Sequence, residues 1–195
     1  MRLSLATSIL ALVIAAAASV AGADSLPGTK SAADRAAWRT VLHWPSSCER
    51  SWRAAGAGAA GAAGIGAWPV PGGKRLVEVS CFLGAYQGVS MLYLAGGDRQ
   101  AVGPLALRAY RDPGSGVPTV TRETQILGTF AFSPRTGILL VLDKFRGVGD
   151  CGIYSTFRLA TDRFVPVEVR AKTACDGKPP YDPLRWPRLP LPRSS

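Results

Sequence analysis

Cys151-Gly-Ile-Tyr-Ser-Thr-Phe-Arg-Leu-Ala-Thr-Asp-Arg-Phe-Val-Pro-Val-Glu-Val-Arg-Ala-Lys-Thr-Ala-Cys175 is the stretch that decides the fold. Two runs rich in β-branched and aromatic residues, 153–159 and 164–172, flank a short polar segment, and this pattern predicts a β-hairpin with a tight turn. If Leu159 faces Phe164, then Cys151 lies opposite Lys172. Cys175 lies only slightly beyond that point, so a modest bend of the strand end would bring the two cysteines within disulfide range.

Four cysteines are present, Cys48, Cys81, Cys151 and Cys175. An even number in an exported chain points to disulfides, and four cysteines allow three connectivities. The hairpin favours pairing Cys151 with Cys175, and elimination then pairs Cys48 with Cys81. No Cys-x-x-Cys occurs and the single histidine is His43, so we expect no metal site and no cofactor.

The N-terminus has the layout of a secretory signal peptide. Met1-Arg2 is followed by a mainly apolar run, 3–20, and by the small residues Ala21-Gly22-Ala23. We predict a signal peptide over 1–23, cleaved before Asp24. The alternative is a membrane anchor, since the run approaches the roughly 17–25 residues that a spanning helix needs. Its alanine-rich end and the small-residue site favour removal, which predicts a periplasmic or secreted protein without a membrane span after signal removal.

The first part of the mature chain has helical patterns. Ser31-Ala-Ala-Asp34 resembles a capping box and predicts a short helix, which Trp44-Pro45 ends. Ser46 or Ser47 could cap a second short helix that carries Cys48. Residues 54–66 are almost only glycine and alanine, which predicts a flexible surface loop too poor in large side chains to pack.

After this loop the pattern becomes β. Val77, Val79 and Cys81 alternate with Leu76, Glu78 and Ser80, so the valine face is predicted to be buried. Residues 103–121 are rich in proline and glycine and allow no assignment. The predicted strands lie at 67–70, 75–83, 89–94, 126–132, 137–143, 153–159 and 164–172.

The fold class is therefore mostly β (α+β), with short N-terminal helices followed by an antiparallel sheet or partly open barrel and two disulfides. We expect about six to eight strands. The predicted boundaries are a single β-rich domain over 24–187 and a flexible, proline-rich tail over 188–195. Trp186 is predicted to anchor the chain against the body before the tail begins.

The chain is strongly basic, with a formal net charge of +10, and 18 of its 23 basic residues are arginine. Polyanion binding is one interpretation of this charge. The arginines are scattered, however, and no aromatic residues are interleaved with them in a stacking motif. We therefore expect no nucleic acid partner, and the abundance of arginine, alanine and glycine is typical of a GC-rich genome.

Three motifs stand out: Cys81-Phe-Leu-Gly-Ala-Tyr-Gln87, Lys144-Phe-Arg-Gly-Val-Gly-Asp-Cys-Gly152 and Glu168-Val-Arg-Ala-Lys-Thr-Ala-Cys-Asp-Gly177. Together with Trp186-Pro187 they resemble a bacterial envelope family, the domain of unknown function 1176. The resemblance covers roughly residues 76–187, close to the second half of the longer family members. It implies a periplasmic or secreted location and assigns no activity.

The motifs contain the candidate binding residues Tyr86, Gln87, Arg146 and Asp150. One hypothesis is that an exposed Arg146–Asp150 pair beside Tyr86 and Gln87 forms a small polar recognition site. The alternative is structural: Asp150 would cap backbone amides, Arg146 would pair with a carboxylate such as Asp143 or Glu168, and Tyr86 and Gln87 would anchor a strand end.

The function favoured by these observations is that of an exported, non-catalytic binding or structural module whose partner is an envelope protein or glycan. The rival is an envelope glycan hydrolase that uses paired carboxylates, Asp143 with Asp150 or Glu168 with Asp176. A serine-histidine-aspartate arrangement could use only His43, which we expect to pack at a helix end. No catalytic residue is therefore assigned, and the sequence assigns no oligomeric state.

Overall fold

The computed structural model describes residues 26–56, 62–96, 103–112 and 114–192. The predicted signal peptide, 1–23, lies outside these described residues. Within them the chain forms two α-helices, nine β-strands and one 3-10 helix. In chain order they are α1 (Ala32–Leu42), α2 (Ser46–Ala54), β1 (Ile65–Val70), β2 (Lys74–Leu83), β3 (Gly88–Gly96), β4 (Leu107–Arg111), β5 (Thr119–Glu123), β6 (Ile126–Ser133), β7 (Ile138–Lys144), β8 (Gly152–Leu159), β9 (Phe164–Lys172) and the 3-10 helix (Pro183–Arg185).

Seven strands form one antiparallel sheet in the order β1-β2-β3-β6-β7-β8-β9. The sheet is open, with β1 and β9 at its edges. The predicted mostly β fold is therefore confirmed, and of the two predicted forms the chain adopts the antiparallel sheet and not the partly open barrel. Its weakest junction lies between β3 and β6, which share only the pairs from Gly88–Ser90 to Ile126–Gly128. This junction divides the sheet into an N-terminal half and a C-terminal half.

The remaining two strands, β4 and β5, pair with each other in the region where the sequence allowed no assignment. The connection between them is stabilised by Asp112, whose carboxylate accepts hydrogen bonds from the Gly114 and Gly116 amides at 2.9 and 3.1 Å. This hairpin brings the number of described strands to nine. Prolines and glycines that obscure alternation are what hid the hairpin from pattern reasoning.

Both predicted helices form, and α1 has the expected capping box. The Asp34 amide donates to Ser31 Oγ at 3.1 Å, and the Ser31 amide donates back to Asp34 Oδ2 at 2.9 Å. The capping prediction for the second helix was wrong. Pro45 occupies the N-cap of α2 and no side chain caps it, because Ser46 already lies within the first turn.

The two faces of β2 belong to different parts of the core. Val77, Val79 and Cys81 pack under the two helices, as predicted. Leu76 points to the other face, where residues of β4 and of the strands from β6 to β9 cover it completely. The strand is therefore buried on both sides, since the C-terminal half of the sheet packs across the face that alternation alone would leave to solvent.

The glycine- and alanine-rich segment departs from its prediction at its C-terminal end. Residues 57–61 lie outside the described part of the chain, but Ala63 and Ile65 are buried in the core beneath the helices. β1 begins at Ile65, two residues before the predicted strand. A loop built of small residues can pack closely when an aromatic ring lies against it, and a side chain at Gly64 would meet the Trp52 ring at 2.3 Å.

The last hairpin has the predicted turn and one additional feature. Leu159 faces Phe164, as expected, but a β-bulge between Thr156 and Phe157 shifts the register so that Gly152, and not Cys151, lies opposite Lys172. The shift brings Cys175 one residue closer to its partner. Cys151 pairs with Cys175 and Cys48 with Cys81, at Cα separations of 5.1 and 4.5 Å, so both predicted disulfides are confirmed.

The prediction of a flexible tail over 188–195 differs from the structure. Trp186 is buried and donates its indole N–H to the Pro180 carbonyl, as expected of an anchor. The chain then continues along β9, where the Leu189 amide donates to the Val169 carbonyl at 2.9 Å and Pro192 is buried. The start of the predicted tail therefore follows β9, with Leu191 exposed, and residues 193–195 lie outside the described part.

Candidate functional site

The turn between β7 and β8 is organised by the ion pair between Arg146 and Asp150. The guanidinium Nε and Nη2 donate to Asp150 Oδ1 and Oδ2 at 2.7 and 2.6 Å, a bidentate geometry that fixes both side chains. The Asp150 side chain is 3% exposed, whereas that of Arg146 is 44% exposed. The predicted pair exists, but only its arginine reaches solvent.

Asp150 also holds the segment that carries the second disulfide. Its Oδ2 accepts the Gly177 amide at 2.9 Å, close to Cys175. The hydrogen bonds from Arg146, with the Gly177 amide in support, keep the pKa of Asp150 well below its usual range. Asp150 therefore caps a backbone amide, as the structural alternative proposed. The same alternative paired Arg146 with Asp143 or Glu168, and this was wrong because the local pair with Asp150 forms instead.

Gln87 links the β2–β3 turn to the end of β7 through hydrogen bonds of its side-chain amide. Its Oε1 accepts the Lys144 amide at 2.9 Å and its Nε2 donates to Asp143 Oδ1 at 3.3 Å. The Gln87 carbonyl accepts the Gly84 amide across the same turn. Both ends of this side-chain amide are therefore used within the protein, so Gln87 positions the turn.

A buried ion pair next to Gln87 connects β4 to the same site. Arg111 Nη1 donates to Asp143 Oδ2 at 3.0 Å, and the Asp143 side chain is 8% exposed. Burial raises the pKa of Asp143, while Arg111 and Gln87 oppose this shift. The β2–β3 turn, the β4–β5 hairpin and the β7–β8 turn are thus joined through one carboxylate.

Tyr86 lies against the β7–β8 turn. A Cβ atom added at Gly147 would be 3.5 Å from Tyr86 Cδ1, so the ring covers this glycine. Tyr86 is exposed, as are Phe82 and Leu83 at the end of β2 and Val148 in the β7–β8 turn, which is 78% exposed. We call the five residues Phe82, Leu83, Tyr86, Arg146 and Val148 the turn surface.

Three members of the turn surface, Phe82, Leu83 and Val148, were not among the sequence candidates. A β-bulge explains the first two: Ser80 faces Ser90 but Phe82 faces Val89, so Cys81 is the additional residue. Apolar residues that follow a bulge can be turned outward although the preceding alternation is regular. The sequence did contain a signal for the third: Val148 stands between two glycines in the motif Lys144–Gly152, a pattern that indicates a turn with an exposed apolar side chain.

The carboxylates proposed for the hydrolase are all bonded to basic groups. Glu168 Oε1 lies 2.7 Å from Arg170 Nη2 and 3.1 Å from Arg188 Nε. Asp176 Oδ1 lies 3.1 Å from Lys172 Nζ, and a hydrogen bond from the Lys178 amide holds the pKa of Asp176 below its ordinary value. Among the described residues no three histidine, cysteine or acidic side chains form a metal-binding group. No described helix is long and apolar enough to cross a bilayer.

The fold and its two bridges define a class: an open antiparallel sheet with a helical layer on one half, fastened by disulfides. The chain belongs to the family described as "Protein of unknown function (DUF1176)", whose model matches residues 12–189. The resemblance of the three motifs is thereby confirmed, and it extends to the N-terminal helices.

Over 117 residues the chain is 30% identical to YpfG, an uncharacterised protein of Escherichia coli (strain K12). This alignment covers 60% of the present chain and 32% of YpfG, so the chain matches about a third of that relative. No solved structure matches the chain.

Proposed function

We propose that this protein is an exported, disulfide-stabilised, non-catalytic module of the bacterial envelope that binds another envelope protein through the turn surface. The observation that carries the proposal is a contrast within one site. The polar groups of the turns are bonded within the protein: Gln87 to Asp143 and the Lys144 amide, and Asp150 to the Gly177 amide. The side chains above them are large, mainly apolar and exposed.

Export is supported by the pairing of all four cysteines, because such disulfides form and persist in oxidising compartments. The signal-peptide pattern over 1–23 points the same way. Envelope location is also what the family resemblance implies.

A protein partner is supported by the chemistry of the turn surface. Aromatic residues and arginine are enriched at protein interfaces, and the turn surface contains Phe82, Tyr86 and Arg146 together with exposed aliphatic side chains. The turns that carry them are rigidly held, so little conformational entropy is lost when they bind. A glycan is the other partner that the sequence suggested, and the test below separates the two.

The non-catalytic part of the proposal rests on the state of the carboxylates. A general acid needs contact with substrate and a proton at working pH. Asp150 is buried and its pKa is lowered by Arg146, while Asp143, whose pKa burial raises, is buried beneath Gln87 and bonded to Arg111. Incubation of the protein with purified peptidoglycan, followed by chromatography of soluble fragments, tests this point. Release of fragments would overturn it.

The binding proposal is tested with two matched double variants of the mature, oxidised protein. Tyr86→Ala/Val148→Ser removes exposed side chains from the turn surface, and Val117→Ser/Leu191→Ser removes exposed apolar side chains elsewhere. Each protein is immobilised and exposed to envelope extract, and captured proteins are quantified by mass spectrometry. We expect a protein that is retained by the wild type and the control and lost with the first variant. Equal capture by both variants, or retention of glycan in place of protein, would contradict the proposal.

A further inference from the structure

The structure contains a second, unrelated site in the cleft between α1 and α2. Facing sides of the two helices enclose a volume of about 680 Å³. Small residues of α1, Ala32 and Ala36, leave this space open on one wall. Roughly 300–1,000 Å³ is the size range of sites for small organic molecules.

The cleft has a surplus of positive charge. Arg35, Arg39 and Arg53 line it, and Glu49 is the only carboxylate among the described lining residues. Glu49 bonds to Arg35 Nε at 2.9 Å and lies 3.3 Å from Arg53 Nε. Arg39 forms no ion pair with any carboxylate in the described part of the chain. One carboxylate therefore serves two of the three guanidinium groups.

Arg35 is the unusual member of this group because it is a buried cation, only 4% exposed. Its guanidinium carbon lies 5.2 Å from the Trp44 ring and 4.7 Å from the Trp52 ring, so the two indoles fix it. Nε and Nη1 bond to Glu49 and to the Ala63 carbonyl. Nη2 is buried without a hydrogen-bond partner in the structure.

An unsatisfied buried donor is rare in native proteins and calls for an acceptor. Burial lowers the pKa of the Arg35 guanidinium, the Glu49 carboxylate opposes this, and the neighbouring Arg39 and Arg53 lower it further. This pattern indicates that cationic groups repel each other here. An anion in the cleft would relieve that repulsion by neutralising the cationic groups that border it.

We propose that the cleft between α1 and α2 binds a small organic oxyanion, with its charged oxygens on Arg35, Arg39 and Arg53 and its apolar part on Trp52 and the alanines. The Trp52 ring distinguishes this site from a general surface patch, because it adds an apolar wall beside the charges. The site is independent of the turn surface, so either proposal can fail without the other.

Two probes, inorganic phosphate and phenyl phosphate, test the proposal by isothermal titration calorimetry of the oxidised protein at pH 7 and low chloride. We expect both to bind, and phenyl phosphate to bind several-fold more tightly because its ring can contact Trp52. Absence of measurable binding for both probes at millimolar concentration would overturn the proposal. Binding of both with equal affinity would overturn the assignment of an apolar wall.

Charge-matched variants separate the site from nonspecific attraction. Arg39→Gln removes the guanidinium that has no described ion-pair partner, and we expect it to weaken phenyl phosphate binding about tenfold. Arg53→Gln, an exposed residue at the cleft, should weaken it as well. Arg50→Gln makes the same change of charge on α2 outside the cleft and should change affinity less than about twofold. Equal effects of Arg39→Gln and Arg50→Gln would contradict the proposal.

Discussion

Individual charged residues in this protein connect separate elements, and Asp143 of β7 is a buried example. Its carboxylate receives Arg111 from β4 and Gln87 from the β2–β3 turn. Removal of one partner from a buried ion pair leaves the other charge uncompensated, which is far more destabilising than loss of an exposed pair.

We predict that Arg111→Gln lowers the free energy of unfolding by about 3 kcal/mol, because Asp143 would stay buried without its cation. Urea unfolding at pH 7 measures the change. The control is Arg75→Gln on β2, an exposed arginine without a described ion pair, which should change stability by less than about 0.5 kcal/mol. Equal losses for both variants would show that the buried pair is not special.

Glu78 is the other charged residue with a distinct environment. It lies among buried residues of β2, and its carboxylate accepts hydrogen bonds from Ser90 and Ser80 but forms no ion pair within the described chain. Burial raises its pKa, with the two serines opposing the shift. A raised folded-state pKa gives stability that is complete at acidic pH and is lost as the pH rises through that pKa.

We therefore predict that Glu78→Gln raises the melting temperature by a few degrees at pH 7.5 and has little effect near pH 4, where the wild-type carboxyl is protonated. Thermal unfolding followed by circular dichroism at the two pH values tests this. Glu123→Gln on β5 makes the same change of charge and should not reproduce the gain. A variant less stable than the wild type at both pH values would contradict the interpretation.

At the scale of elements, the β7–β8 turn depends on Gly152. A Cβ atom there would lie 2.2 Å from the Asp143 carbonyl oxygen, and the residue has φ of +153°. Since the obstacle is backbone in the paired strand, it cannot move aside without breaking the ladder.

We predict that Gly152→Ala costs about 3 kcal/mol of stability. Gly149→Ala is the matched control: it shares positive φ in the same turn, but its added methyl would meet only the Lys144 side chain at 3.5 Å. Its cost should be about 1 kcal/mol. Chemical denaturation of both variants gives the comparison, and similar costs would show that the close approach in the structure is wrong.

Most elements could be predicted from the sequence because they follow simple periodicity or capping rules. The helix from Ser31, the turn between Leu159 and Phe164 and both disulfides belong to this group. What pattern reasoning missed comes from irregular backbone. The bulge in the last hairpin puts Phe164 and Val169 on buried positions although they are five residues apart, which no uninterrupted alternation allows.

The candidate site shows the same division. The segments 81–87 and 144–152 were identified in the sequence, and the structure brings them into contact through Gln87 and Tyr86. The burial of Asp150 could not be foreseen, because it depends on the Gly177 amide, which lies 27 residues further along the chain. The cleft between the helices was also hidden, since it requires the relative placement of α1 and α2.

At the scale of the whole molecule, the disulfides attach segments outside the sheet, the helices and the C-terminal segment, to its strands and turns. One joins α2 to β2, and the other joins the start of β8 to the segment that follows β9. The second bridge acts together with Asp150, which bonds Gly177 close to Cys175. The C-terminal segment is thus attached to the β7–β8 turn twice.

We predict that Cys48→Ser/Cys81→Ser and Cys151→Ser/Cys175→Ser each lower the free energy of unfolding by about 3 kcal/mol, from the loss of a crosslink over 33 and 24 residues. Urea unfolding of the two variants and the wild type under identical conditions measures the changes. A variant as stable as the wild type would show that its bridge does not constrain the unfolded chain.

The most direct test of the account is mass spectrometry of the protein purified from its native cells without reducing agent. We expect a chain that begins at Asp24, has no free thiol, and yields, after digestion, peptides joined only through Cys48–Cys81 and Cys151–Cys175. A protein that retains Met1 and four alkylatable thiols would contradict export and, with it, the proposed place of this module in the envelope.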